Sequence, residues 1–281
     1  MARTCIRGRR RVVALLAACL LTAGCSTAPQ GGAQEDGRAG GRSSAGGAPP
    51  SASPSPAATA LASSGPSTFE PDPDKVPRTR AEALSLARAV AFLPRDWGDG
   101  FVAQDPAESA PDTWAVLDST CSWTREPLPG GVLAAVSRYS ELPVGEGGDT
   151  LRVTAVVTVH ATQESADDRL NTTLEEVMRC PQQEIRTGER ITDLNSVGRP
   201  AGGDQRYADD SVFEMGTYVR QRGETVLEYP YQWLMDRYGT VTVAVSVRGA
   251  QGADAPDPTT VSTRGTVGMR TRVIDRLEGE S

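Results

Sequence analysis

Histidine is almost missing from this chain: His160 is the only one in 281 residues. That removes His-rich metal sites and most histidine-based acid–base chemistry. Lysine is as scarce, with Lys75 alone against 28 arginines, and aromatic residues make up only 5%. Apolar runs of membrane-spanning length are missing too. The run Val12–Leu21 has ten residues, half of the roughly 20 that a spanning helix needs, and nothing after it comes closer. Basic charge is scarce outside the N-terminus. Beyond Arg3, Arg7, Arg9, Arg10 and Arg11, 24 basic residues face 36 acidic ones, a net charge of −12. A body that acidic repels phosphate backbones, which excludes general nucleic-acid binding.

What is present begins with an export signal. Five arginines, the ten-residue apolar run and then Leu21-Thr22-Ala23-Gly24-Cys25 have the layout of a signal peptide over residues 1–24. Its end resembles the cleavage site of bacterial lipoproteins, in which a small-residue pair precedes an obligatory cysteine. Thr22 departs from the aliphatic residue usual there. The resemblance implies that Cys25 carries a diacylglycerol thioether and, on its freed amine, a fatty acyl chain such as palmitate. Several acyl chains at about 0.8 kcal/mol per buried CH₂ hold a protein on a membrane without a spanning helix. The expected location is therefore the extracytoplasmic face of the cell membrane. Ordinary secretory cleavage, with Cys25 incidental, is the alternative, and Arg9-Arg10 leaves Sec or twin-arginine export open.

Between Ser26 and Thr68, 36 of 43 residues are Ser, Thr, Ala, Pro or Gly and none is aromatic. Such a segment cannot bury enough apolar area to offset its ordering entropy. We read residues 25–77 as a lipidated cysteine and disordered tether, with a coil reach of roughly 36 Å. The arginine, alanine, glycine and proline bias resembles that of actinobacterial lipoproteins.

Residues 78–281 carry the pattern of an α+β domain: an antiparallel β-sheet with helices packed on one face. Thr79-Arg80-Ala81-Glu82 has capping-box spacing and opens a helix whose stripe is Leu84, Ala87, Val90 and Ala91, stopped by Pro94. A loop-rich stretch follows to a short strand at Trp114–Leu117. Val132–Tyr139 and Leu151–Val159 read as a hairpin, the second strand alternating inward from Leu151 to Val159. A helix starting at Ser165 and Asp168 puts Ala166, Leu170, Leu174, Val177 and Met178 on one face and ends at Cys180-Pro181. Short strands are expected near Glu184–Arg186 and Asp204–Tyr207. Val212–Arg220 and Glu224–Leu234 flank Gly223, and Thr240–Val247 alternates again. A last helix carries Met269, Val273, Ile274 and Leu277, with Gly279 as its cap and Gly265 and Gly268 blurring its start.

Once the signal is removed, Cys25, Cys121 and Cys180 remain. With Cys25 lipidated, an even pair is left in an oxidising compartment, which predicts a Cys121–Cys180 disulfide; two buried thiols are the alternative. The order of elements, with Trp114, Cys121 and Met178-Arg179-Cys180-Pro181, resembles the PknH-like extracellular sensor domain of actinobacterial Ser/Thr kinases. The resemblance covers about residues 78–279 and implies ligand sensing in a cleft. Two departures stand: the kinase sensors look like two-disulfide domains, and this chain has no kinase, so a signal would pass to a separate partner.

Candidate sites are few. Tyr229, Tyr231 and Trp233 share strand parity with Leu227 and Met235, so one aromatic row either forms the inner face of the sheet or walls a ligand site. Pro230 favours an edge position for that strand. His160 falls on the even face with Arg152 and Thr154 and is expected in solvent, and Asp167-Asp168 and Asp209-Asp210 are expected as solvated acids. The sequence implies no catalytic constellation, no metal and no cofactor. The leading expectation is thus a non-catalytic, lipid-anchored sensor-like or ligand-binding lipoprotein with an envelope ligand. An interaction module docking a membrane or wall protein is a second class. A cell-wall hydrolase is a third, requiring paired carboxylates in a cleft, with Glu228 or Asp236 as candidates.

Overall fold

A computed structural model of the protein describes residues 69–145, 149–200, 208–250 and 255–278. Its first helix, α1 (Arg80–Val90), opens with the expected capping box. Glu82 N–H donates to Thr79 Oγ1 at 3.3 Å, and Thr79 N–H returns to Glu82 Oε2 at 3.0 Å. The buried stripe is Ala83, Leu86, Ala87 and Val90, with Leu84 only partly covered. A short turn α2 (Pro94–Trp97) follows, then β1 (Val102–Glu108), where the sequence suggested only loop. Nearly all side chains of β1 are exposed, so an edge strand there leaves no alternation to read. β2 (Thr113–Leu117) and β3 (Trp123–Pro127) form a separate two-stranded ribbon.

The remaining elements are β4 (Val132–Val144), β5 (Asp149–His160), α3 (Gln163–Arg179), β6 (Gln183–Arg186), β7 (Glu189–Pro200), β8 (Asp210–Arg222), β9 (Thr225–Tyr238), β10 (Val241–Arg248) and α4 (Pro258–Leu277). Eight strands make one curled antiparallel sheet in the order β1-β4-β5-β10-β9-β8-β7-β6. The expected hairpins β4–β5 and β8–β9 are both present. β7 is a strand that the sequence did not suggest. Asp193, at φ 54°, sits in a bulge between Thr192 and Asn195, and with Gly198 and Pro200 it reads as loop punctuation. The strand expected at Asp204–Tyr207 lies outside the described residues.

The main core lies on one face. Odd-numbered residues Leu151 to Val159 of β5 and Val241 to Val247 of β10 are fully buried beneath α1 and α4. Gly265 and Gly268 fall inside α4, not at its start, which Asp257 caps by accepting from Thr260 N–H at 2.9 Å. They are there for close approach. A Cβ on Gly265 would sit 2.5 Å from Trp97 Cζ3, and one on Gly268 would overlap the Phe92 ring. The packed chain reaches back past the expected boundary at 78. Phe69 meets Tyr238 edge-on at 6.1 Å, and Asp72 N–H donates to Leu277 O at 2.7 Å.

The helices do not share a face, which corrects the one-sided arrangement expected. α3 packs on the opposite side through Leu170 and Leu174, against Val156, Val212, Met235 and Ala244. Its cap is Thr162, three residues before Ser165, and its buried stripe includes Thr173 and Glu176. Met178, expected on that stripe, is 78% exposed. The even face of β5 and β10 carries Thr, Ser, Ala and His, a pattern that looks solvent-facing. It is covered all the same, and its small side chains leave space beneath α3.

Candidate functional site

Cross-strand register builds the floor of that space. One row across the sheet is Tyr139, Thr154, Ser246, Trp233 and Glu214, from β4, β5, β10, β9 and β8 in turn. The next is Ser137, Val156, Ala244, Met235 and Val212. On the other side of the first row, Arg152, Arg248 and Tyr231 stand opposite one another. α3 supplies a wall with Arg169, Thr173 and Glu176, and the β2–β3 ribbon supplies Trp114, Trp123 and Arg125. The cavity is half-open and has a volume of about 180 Å³, comparable with the roughly 150 Å³ apolar cavities known to accept benzene.

The ribbon is held over the cavity by several independent contacts. The predicted disulfide joins Cys121 in its turn to Cys180 at the end of α3, with Cα atoms 5.5 Å apart. Arg179 donates to the carbonyls of Leu117 and Asp118 at 3.0 and 2.8 Å. Trp123 Nε1–H donates to Gln183 Oε1 at 2.9 Å. Inside the turn, Asp118 Oδ1 accepts from Thr120 N–H and Ser122 N–H. Together with the Thr120 hydroxyl, these bonds hold its carboxyl below the ordinary range.

The charged lining is uneven. Arg169 lies 3.4 Å from Glu176 Oε1 and stacks 5.4 Å from the centroid of Trp114. Glu214 is buried, with only a long contact of 3.5 Å from Ser196 Oγ, and burial together with the nearby Glu176 pushes its carboxyl up to about 7. Burial likewise moves the Tyr231 phenol well above its usual range. Among the described residues Arg248 makes one hydrogen bond, to Ser246 Oγ at 3.3 Å, and desolvation pulls its guanidinium below the usual arginine range. Trp233 Nε1 and Arg248 Nε are buried without an acceptor among the described residues.

The aromatic row therefore divides. Tyr231 and Trp233 line the cavity, whereas Tyr229 stays outside its lining: it packs with Tyr218, Ile191 and Tyr231 in an adjoining cluster and donates its hydroxyl to Asp149 at 2.9 Å. Pro230 is tolerated in an interior strand because the β10 ladder ends at the Arg248–Tyr231 pair, leaving Pro230 only β8 as a partner. Glu228 and Asp236 point elsewhere: the first is exposed and the second accepts from Tyr238 OH at 3.2 Å. Cys25 lies outside the described residues.

His160 is buried, not solvated, because α3 covers the even face. The Ser165 hydroxyl donates to Gly131 O at 3.1 Å, so Ser165 Oγ accepts from His160 Nδ1–H at 3.2 Å. His160 Nε2 accepts from Thr242 Oγ1 at 3.3 Å. Burial first, then the charge of Arg169, lowers the imidazole to about 4. It is a neutral bracket between β5, β10 and α3. The acidic pairs are not simply solvated either, since Arg237 bridges Asp167 at 2.7 Å and Asp209 at 3.1 Å.

Sequence reasoning missed Glu176, Glu214, Arg169 and Arg248. A signal existed for two of them. Glu214 shares parity with Val212 in a strand, and Glu176 shares a helical stripe with Leu170, Thr173 and Val177. A carboxylate in an apolar register marks a polar interior. Among the described residues, no group of three or more His, Cys, Asp or Glu side chains is placed to hold a metal. No family model and no curated protein matches the chain.

Proposed function

We propose that this is a lipid-anchored, non-catalytic extracytoplasmic ligand-binding protein of the sensor-like kind, tethered through Cys25. The observation that carries the binding reading is the cavity between the even face of the sheet, α3 and the ribbon, lined by aromatic rings with a few convergent polar groups. That combination is characteristic of small-molecule sites. The order of elements resembling the kinase sensor domains supports the same reading, as does a lone histidine with both nitrogens engaged.

The test is a melting-temperature screen with a fragment library of neutral, anionic and cationic members. It compares the wild-type chain with Ala244→Phe, which fills the middle of the floor. Fragments should raise the melting temperature of the wild type and not of the filled variant, by mass action on the folded state. A library that shifts both proteins equally overturns the reading.

A hydrolase is the second reading, favoured by one observation. Glu176 and Glu214 face the same cavity, and burial with the neighbouring Glu176 charge pushes the Glu214 carboxyl up to about 7, where a carboxyl can serve as an acid. Under that reading Glu214→Gln abolishes release of reducing ends from wall glycan, whereas under ours there is no release to abolish.

A further inference from the structure

We propose that the part of the cavity formed by Arg248, Tyr231, Trp233 and Ser246 is a carboxylate-binding subsite for a small monocarboxylate with an apolar body. The inference rests on the ligand-binding reading above and goes beyond it by naming the ligand chemistry.

Register places the four side chains together. Ser246 is directly opposite Trp233, Arg248 is directly opposite Tyr231, and each pair of strand neighbours is two residues apart on one face. Directly opposite residues have Cβ atoms about 5 Å apart, so the four groups make one continuous patch. That patch is rich in donors and poor in acceptors. The Arg248 fork has a single neutral partner, Ser246 Oγ, and makes no ion pair among the described residues. Its Nε and the Trp233 Nε1 are both buried and unpaired. Buried donors left unpaired are costly, and two from adjoining side chains lining one cavity ask for a shared acceptor.

Charge points the same way. Arg248 is paired across the sheet with Arg152, whose own carboxylate partner, Glu141, is 3.6 Å away. Like charges directly opposite destabilise a sheet, and an anion beside Arg248 would relieve that repulsion. The size of the missing charge follows from the rest of the cavity. Arg169 pairs with Glu176, Arg125 also lines the cavity, and the Glu189 carboxylate attracts Arg248 without an ion pair to it, so the positive charge left for a ligand suits a singly charged anion. A dianionic phosphate would leave an excess buried charge, whereas a carboxylate matches both the charge and the planar fork of a guanidinium. Trp114, Trp123, Val156 and Met235 offer an apolar lining for the body of the ligand.

Glu214 makes the subsite sensitive to pH. It stands in the same row as Ser246 and Trp233. The groups around it are Glu176 and Arg169 from α3, Ser196 from β7, and Tyr231 and Trp233 from β9, with Tyr231 feeling both Glu214 and Arg248. With its carboxyl raised to about 7, it is mostly neutral at pH 6 and a second anion in the ligand's cavity at pH 8. His160, lowered to about 4, does not titrate in that window.

Calorimetric titration of the full chain with benzoate, and with benzamide as its neutral isostere, tests the subsite. Benzoate should bind at least about tenfold more tightly than benzamide at pH 6, since an ion-paired hydrogen bond is much stronger than a neutral one. Its affinity should fall by up to about tenfold from pH 6 to pH 8 as the protonated fraction of Glu214 falls. Arg248→Gln should remove the preference for benzoate, and Glu214→Gln should flatten the pH dependence. Trp233→Phe, which keeps a ring but deletes the N–H, gives an independent measure and should weaken benzoate several-fold. Equal binding of the two probes, no binding of either, or a preference that survives both Arg248→Gln and Trp233→Phe overturns the subsite. If fragments of any charge still separate the wild type from Ala244→Phe, the ligand-binding reading stands without it.

Discussion

His160 and Glu214 are buried on the same side of the sheet, and burial moves their acidities in opposite directions. Glu214 rises from 4.5 to about 7 on folding. Between those values the folded protein keeps a proton that the unfolded chain has lost, so its contribution to stability falls as pH rises. His160 drops from 6.5 to about 4. In that interval the unfolded chain takes up the proton, so stability falls as pH falls. From about pH 4.5 to 6.5 the two slopes oppose each other. Glu214→Gln should unmask the histidine, giving stability that climbs from pH 4 to 6.5 by on the order of 3 kcal/mol. Urea unfolding across that range checks it, and a variant as flat as the wild type would sink the assignment. Neither shift could be read from the sequence. Alternation showed that His160 lies opposite Leu151 to Val159, yet parity says nothing about whether a face is covered.

Among the elements, the β2–β3 ribbon is the least self-sufficient. Two five-residue strands cannot hold themselves in water, and this pair depends on the disulfide, on Arg179 and on the Trp123–Gln183 hydrogen bond. The cysteine count predicted the bond without saying what it does, which is to pin a wall of the cavity to the end of α3. Closing a loop of 59 residues is worth about 4 kcal/mol in the chain-entropy model. Replacing both cysteines, Cys121→Ser with Cys180→Ser, should lower stability by about 2–4 kcal/mol. It should also raise amide exchange selectively in residues 113–127. Exchange that rises evenly across all elements would mean the bond merely stabilises the domain. The elements read correctly were those with a clean period: α1, the β4–β5 and β8–β9 hairpins and β10. β1 and β7 escaped because an exposed edge and a bulge erase the period of two. The start of α4 was obscured because glycines chosen for Trp97 and Phe92 mimic a helix boundary.

At the scale of the whole molecule, the formal charge of −7 averages a basic N-terminal segment and an acidic remainder. The proposed anchor belongs to this scale, since a lipidated Cys25 would tether the whole domain to the membrane. Labelled palmitate should enter the wild-type protein and not Cys25→Ala, and the variant should be recovered in the medium. Incorporation that persists in Cys25→Ala removes the anchor from the proposal. By itself the sequence determined the basic N-terminus, the low-complexity stretch, the pairing of Cys121 with Cys180 and the antiparallel α+β character, because each follows from composition or from a local period. Only the tertiary structure decided that helices cover both faces of the sheet. It alone brought Glu176, Glu214 and Arg248 to one cavity and left Tyr229 outside the lining that Tyr231 and Trp233 share. Those outcomes depend on which strands become neighbours, and strand order is set by long-range packing that no local pattern records.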